Sequence, residues 1–199
     1  MKYYISDLHL FHKNVTGEGN NFDNRPFDTL EEMHKYIKEK WNRKVTNGDT
    51  VYILGDVSMR GKKEELIAFV AQLKGRKVLI KGNHDDVSDY RYQQLFHEIC
   101  DYKEMHDTIG KEHYSLVLSH YPIFSWRNMG RGRILLYGHT HESEEDRFYQ
   151  KCLSEMRAND CRHVYEAEEL RAYNVGCMRD YMNYTPRTLE EILNSRSKV

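Results

Sequence analysis

The sequence predicts an α/β fold, and two observations predict it. Short apolar runs alternate with longer segments whose apolar residues recur every three or four positions. Each of the polar clusters rich in Asp, His, Asn and Gly also follows directly on one of the short apolar runs. Open α/β sheets place their sites at the carboxyl ends of strands, where side chains from neighbouring loops converge on one crevice. A chain of 199 residues is long enough for one well-cored domain.

Residues 2–6 form the first apolar run, which ends at Asp7. A Gly- and Asn-rich loop follows over residues 11–25, closed by Pro26. Residues 29–42 predict a helix: Leu30, Met33, Tyr36, Ile37 and Trp41 share one face. Asp28 or Thr29 supplies its N-cap, and Glu31 and Glu32 occupy the favourable first turn. A second strand over 50–54 runs into Gly55-Asp56. A helix over 62–73, stopped by Gly75, leads to a third strand over 77–80 and then Gly82-Asn83-His84-Asp85. The next strands are expected over 114–118, before Ser119-His120, and over 133–137, before Gly138-His139-Thr140-His141. Residues 142–170 break this rhythm; charged and helix-compatible, they read as an inserted helix or helical hairpin, in plain solvent rather than over the site. A strand over 172–175 and a short helix around 189–193 complete the chain.

Composition bounds the function classes. The formal net charge is −1, so no whole-protein field draws the chain to nucleic acid or membrane. This weighs against a nuclease gripping long duplex, whose affinity rests on phosphate-neutralising Lys and Arg. The cysteines are scattered, with no C-x-x-C pair, which suits a reducing compartment and excludes a zinc ribbon or thioredoxin-type motif. No apolar core of signal-peptide type and no run of about 20 apolar residues is present, so the expected location is cytoplasmic, with no membrane partner. Of the eleven histidines, His34, His97, His106, His113 and His163 are expected to be surface or core residues rather than ligands.

The chemistry lies in five clusters: Asp7-Leu8-His9, Gly55-Asp56, Gly82-Asn83-His84-Asp85, Ser119-His120 and Gly138-His139-Thr140-His141. Carboxylate, imidazole and carboxamide donors without thiolate suit divalent Mn, Fe, Co, Ni or Zn. If two ions are to lie about 3.5–4 Å apart, one carboxylate must bridge them. Glycines before Asp56, Asn83 and His139 let the backbone turn and come close to such ions.

The order D-x-H, G-D, G-N-H-D, H, G-H-x-H resembles the signature of the calcineurin-like metallophosphoesterase superfamily. The resemblance spans residues 1 to about 141, with Asn174-Val175-Gly176 like the closing strand. It implies a four-layer α-β-β-α sandwich, mixed sheets flanked by helices, as a single domain over 1–199. It also implies two divalent ions, manganese first among them, that would lower the pKa of a shared water and so supply hydroxide to attack phosphorus. Asp7, His9 and His141 would hold one ion, and Asn83, His120 and His139 the other, with Asp56 as the bridge. His84 is the implied general acid or phosphate contact, oriented by Asp85. Within the superfamily, Met59 stands where the protein Ser/Thr phosphatase branch carries an acidic residue, which argues against that branch. The first loop, Ser6-Asp7-Leu8-His9-Leu10-Phe11-His12-Lys13-Asn14 with Arg25-Pro26-Phe27, resembles a small bacterial and phage subgroup of phosphoesterases.

Further pocket residues are expected at His12, Asn14 and Arg25, which line the pocket or else fasten their own loop, and at Arg60, a phosphate contact or a solvated arginine. Tyr121 and Arg127 supply an aromatic and basic wall, while Trp126 is expected rather to cover the core. The expected activity is hydrolysis of a small phosphomonoester or phosphodiester, a nucleotide among the candidates. A nuclease is the alternative, and a non-catalytic interaction scaffold a more distant one. Oligomeric state is left open.

Overall fold

The computed structural model describes residues 1–59, 63–160 and 163–195. The first sheet is parallel, with strands β1 (Lys2–Ile5), β2 (Thr50–Ile53), β3 (Arg76–Ile80) and β4 (Glu98–Cys100) in that spatial order. The second is mixed, in the order β5 (Tyr102–Ile109), β6 (Glu112–Ser119), β7 (Ile134–Tyr137) and β8 (Ala172–Asn174). Only β5 and β6 in it are antiparallel. The helices are α1 (Leu30–Lys44), α2 (Lys63–Ala71), the single turn α3 (Tyr90–Gln93), α4 (Glu144–Ala158) and α5 (Leu189–Ser195).

Alternation along the strands generates the layers. On β6 and β7, Leu116, Leu118, Ile134 and Leu136 join the main core with β1–β3, α1 and α2. Their neighbours Val117, Leu135 and Tyr137 face the other way, into a second core with Trp126, Met129, Tyr149 and Leu153. A strand buried on both faces reads as a continuous apolar run, which is what Ile134–Tyr137 is. The result is two sheets flanked by helices. Met33, Ile37 and Trp41 lie four residues apart on α1 and are fully buried, and the Trp41 indole N–H donates to Lys74 O at 2.9 Å. Thr29 caps α1, accepting the Glu32 N–H at 3.2 Å.

Three expectations change. β4 and β5 were not foreseen as strands, and the run expected to begin at 114 begins at Glu112. β5 reads Tyr-Lys-Glu-Met-His-Asp-Thr-Ile and turns one face outward, so it lacks the apolar run that marks the buried strands. Among its described residues the segment 142–170 contains one helix, α4, and this is no solvated addition: Tyr149 and Leu153 bury its inner face in the second core.

The two sheets meet beside the site. Ser6 N–H donates to Val175 O at 2.9 Å and Cys177 N–H to Ser6 O at 2.9 Å, so the extension of β1 lies parallel to that of β8. The loops after β1, β2, β3, β6 and β7 therefore open at one common edge.

Candidate metal centre

Asp7 and His9 follow β1, Asp56 follows β2, Asn83 and His84 follow β3, His120 ends β6, and His139 and His141 follow β7. The loops are sharply bent: Asp7, His9, Asp56, His139 and His141 all have φ between 47° and 69°. That left-handed region costs an ordinary residue of order 1–3 kcal/mol and persists only where its surroundings enforce it. Asp and His tolerate it better than most, which suits the residue types found here.

The enforcement is visible in the hydrogen bonds. Asp7 is fully buried, and its carboxylate accepts the Ser6 hydroxyl at 2.7 Å and the His139 N–H at 3.1 Å. Burial pushes the Asp7 carboxyl above its usual range, against the pull of His141 and His120. Asp85 accepts the backbone N–H groups of Asp56 (2.8 Å), Val57 (2.9 Å) and Gly82 (2.9 Å). It thus ties the β2 and β3 loops together rather than orienting the His84 ring, the part expected of it. Two glycines are dictated by close approach. A Cβ on Gly82 would fall on Asp56 Oδ1, and one on Gly138 would lie 2.6 Å from Asp7 Oδ2.

The donor atoms gather in two sets. One ligand atom each from Asp7, His9 and His141 lies within 4.8 Å of the others, and the same holds for Asp56, His120 and His139. His9 Nε2 and His141 Nε2 are 3.1 Å apart, and His120 Nε2 lies 3.0 Å from Asn83 Oδ1. Asp56 Oδ2 stands between the sets, 3.8 Å from His9 Nε2 and 3.5 Å from His120 Nε2. Asp56 Oδ1 accepts the His84 N–H at 3.0 Å. The His84 ring meets that of His9 edge-on, centroids 5.8 Å apart.

The chemistry of these sets fits divalent ions. His120 Nδ1 faces Leu54 O at 2.8 Å, so that nitrogen carries the proton and Nε2 presents a lone pair toward Asn83 Oδ1. Likewise His141 Nδ1 faces Asp23 Oδ1 at 2.9 Å, leaving Nε2 as a lone pair directed at His9. A lone pair facing another acceptor, as His120 Nε2 faces Asn83 Oδ1 at 3.0 Å, is what a shared cation would satisfy.

Asp23 was missed by the sequence reading. It lies in the first loop, buried, and joins His141 to Arg25, whose Nε donates to Asp23 Oδ2 at 2.8 Å. Burial alone would raise the Asp23 carboxyl; the His141 hydrogen bond and the Arg25 charge outweigh it and hold it below its usual range. His141 answers in kind: burial lowers it, while Asp23 and Asp7 together raise it. Asp146 and Asn174 are a second pair of missed supports. The Asp146 carboxylate accepts Tyr137 OH (2.7 Å), Thr140 Oγ1 (2.9 Å) and the Asn174 amide (2.9 Å), which also donates to His141 O at 2.8 Å. The first turn of α4 therefore fastens the loop that carries His139 and His141. An isolated Asp in a charged helix gives no sequence signal of such a role.

The expected pocket residues divide. His12 is at the site, its ring 6.0 Å from that of His9, and burial and His84 lower its pKa. Arg25 is not a substrate contact: it is fully buried, its guanidinium donating to Asp7 O (2.8 Å) and Leu8 O (2.9 Å) beneath the ligand loop. Asn14 is exposed and turned back on Gly19 in its own loop. Arg127 is exposed and paired with Glu104 on β5 at 3.3 Å, and Trp126 is buried in the second core. Arg60 lies outside the described residues. Tyr121 does face the centre, its ring 4.6 Å from that of His139.

Two sheets flanked by helices, with two convergent carboxylate–imidazole sets at the strand ends, define a metal-dependent phosphoesterase. The chain belongs to the calcineurin-like phosphoesterase family, whose profile matches residues 3–174. Gene 66 protein of Mycobacterium phage D29 is 30% identical over 161 residues, covering 70% of this chain and 77% of the phage protein. An uncharacterized protein of Methanocaldococcus jannaschii is 31% identical over 147 residues, covering 73% and 72%. A crystal structure of a protein of unknown function from Aquifex aeolicus superposes with a TM-score of 0.66 at 25% identity, covering 98% of each chain. Among the described residues no helix is long and apolar enough to cross a membrane.

Proposed function

We propose that this chain hydrolyses a small phosphomonoester or phosphodiester, with a nucleotide-sized alcohol as the ester group, and that manganese is its working metal. In this reading Asp7, His9 and His141 hold one ion, and Asn83, His120 and His139 the other, with Asp56 shared. The position of Asp56 Oδ2 between the two sets carries the reading, because a bridging carboxylate must reach both. When bound, the ion pair supplies an acidified water and a positive field for the phosphoryl oxygens.

The chain's own residues do the rest. Asp85, Arg25 and Asp146 hold the ligand loops in their left-handed turns, so the donors are in place before substrate arrives. His84 is fixed through its backbone to Asp56 while its ring remains partly open, which leaves it able to protonate the departing oxygen. His12 stands next to it.

The test is turnover of p-nitrophenyl phosphate and bis-p-nitrophenyl phosphate with Mn²⁺ by the wild type, Asp56→Asn and His84→Ala. Loss in both variants, with Asp56→Asn also binding fewer than two ions, is expected. Full activity in both would refute the site assignment. Single-stranded DNA, circular DNA and RNA belong in the same assay, since turnover confined to them would replace the small-substrate reading with a nuclease.

A further inference from the structure

Beside the two donor sets lies a cavity of about 670 Å³, bounded by the first loop, the start of α4 and the 178–184 segment. That volume is in the range of sites that enclose a nucleotide-sized molecule. His139 and His141 are among its lining residues, so a phosphoester whose phosphorus sits at the metal centre has this space for its organic part. Two features of the cavity are unexplained by metal binding.

The first is Phe22, which is 50% exposed at the tip of a loop that otherwise builds the centre. Its ring meets three imidazoles, those of His141 (5.7 Å), His12 (5.9 Å) and His9 (6.4 Å). These contacts hold the ring at the mouth while half of its surface stays in solvent. Such an aromatic, fixed on one side and open on the other, is suited to stack a planar group. The second feature is charge. Glu142, Glu145 and Asp180 stand exposed around the cavity, and Arg179, the one Lys or Arg among the described residues lining it, is turned toward Asp146 Oδ2 at 3.5 Å. A rim of that sign opposes additional phosphates.

We propose that Phe22 is a specificity-determining residue: it stacks the planar, uncharged or cationic ester group of a small phosphoester, and the acidic rim excludes polyphosphorylated or polymeric ligands. This rests on the reading of the centre as a phosphoester site and names the substrate class that site selects.

Calorimetric titration of the Mn²⁺-loaded protein tests it with methylphosphonate and benzylphosphonate, whose C–P bonds do not hydrolyse. The wild type should bind benzylphosphonate about tenfold more tightly than methylphosphonate, the scale of one ring stacked on an aromatic side chain. Phe22→Ala should bring the two to near parity without changing methylphosphonate affinity, and Phe22→Trp should keep the preference. Equal binding of the two by the wild type, or equal weakening of both in Phe22→Ala, would overturn the proposal; the latter would make Phe22 a cover for the histidines. For the rim, a trinucleotide should bind more weakly than its mononucleotide, and Glu142→Gln/Glu145→Gln/Asp180→Asn should narrow that gap. A gap unchanged in the triple variant would remove the charge argument. Benzyl preference without turnover of any p-nitrophenyl ester would refute the hydrolase reading alone, and turnover without the preference would refute only the role of Phe22.

Discussion

Replacing Asp23 with Ala tests the support beneath the metal centre. Its carboxylate is 3% exposed and joins His141 Nδ1 at 2.9 Å to Arg25 Nε at 2.8 Å, while the Arg25 side chain is 0% exposed. Asp23→Ala leaves that guanidinium buried with two backbone carbonyls but without its counter-charge. Breaking one partner out of a buried pair costs about 3–5 kcal/mol. In a domain of this size each kcal/mol shifts Tm by about 2–4 °C, so the metal-free variant should melt roughly 6–20 °C lower. The second effect is local. Asp23→Ala also removes the hydrogen bond at His141 Nδ1 that sets the ring's orientation, and losing such a partner costs about 10–100-fold in metal affinity. Thermal denaturation in chelator and calorimetric Mn²⁺ titration read the two effects separately. Adding Arg25→Met removes the stranded charge, so the double variant should lose less than the two single variants together. A metal-free Tm for Asp23→Ala within about 2 °C of wild type would refute the buried-pair argument. Equal weakening of both ions would refute the assignment of Asp23 to His141.

Other outcomes follow from the same geometry. His84→Ala should lower kcat by about a hundredfold on p-nitrophenyl esters and by up to about ten-thousandfold on alkyl esters, which need a proton on the leaving oxygen; equal losses would make His84 a phosphate contact instead. Gly82→Ala drives a Cβ onto Asp56 Oδ1 and within 2.7 Å of Asp56 N, so about 1–3 kcal/mol of stability and one bound ion should be lost; unchanged metal stoichiometry would count against the tight β2–β3 junction. His141, raised in the folded protein, gives stability that is full below its unfolded pKa of about 6.5 and lost as pH rises through the folded value. The Tm difference between wild type and His141→Gln in chelator should therefore narrow with rising pH above about 6.5; His9, His12 and His139, lowered in the folded protein, exert their opposite slope mainly below that pH, outside the window compared. A difference that widens would contradict the Asp23–His141 pairing. Mn²⁺ affinity should rise over the same range, since the imidazole must shed its proton to bind.

The candidate donor set was legible from sequence because each candidate follows a short apolar run, and a run buried on both faces leaves few alternatives for its register or its end. Asp7, His9, Asp56, His120, His139 and His141 therefore stand at the strand ends where the pattern put them. β5 escaped because an outward face dilutes its apolar signal, and pairing along β6 rather than composition makes it a strand. Arg25 was undecided between two roles for a physical reason: an arginine in this loop has the same sequence signature whether its charge faces substrate or buried carbonyls. Only packing distinguishes them, and here it sends Arg25 inward with Asp23. Of the three backbone donors to Asp85 only Gly82 is local in sequence; Asp56 and Val57 belong to the separate β2 loop, so nothing around Asp85 reveals that it ties the two loops. Nor does the charged segment after His141 reveal that Asp146 anchors the ligand loop and that its neighbours rim a cavity. The sequence by itself determined the strand ends and the donors they carry, because periodicity and residue type act locally. The tertiary structure decided which polar groups support the centre and which face substrate, because that depends on distances between residues far apart in the chain.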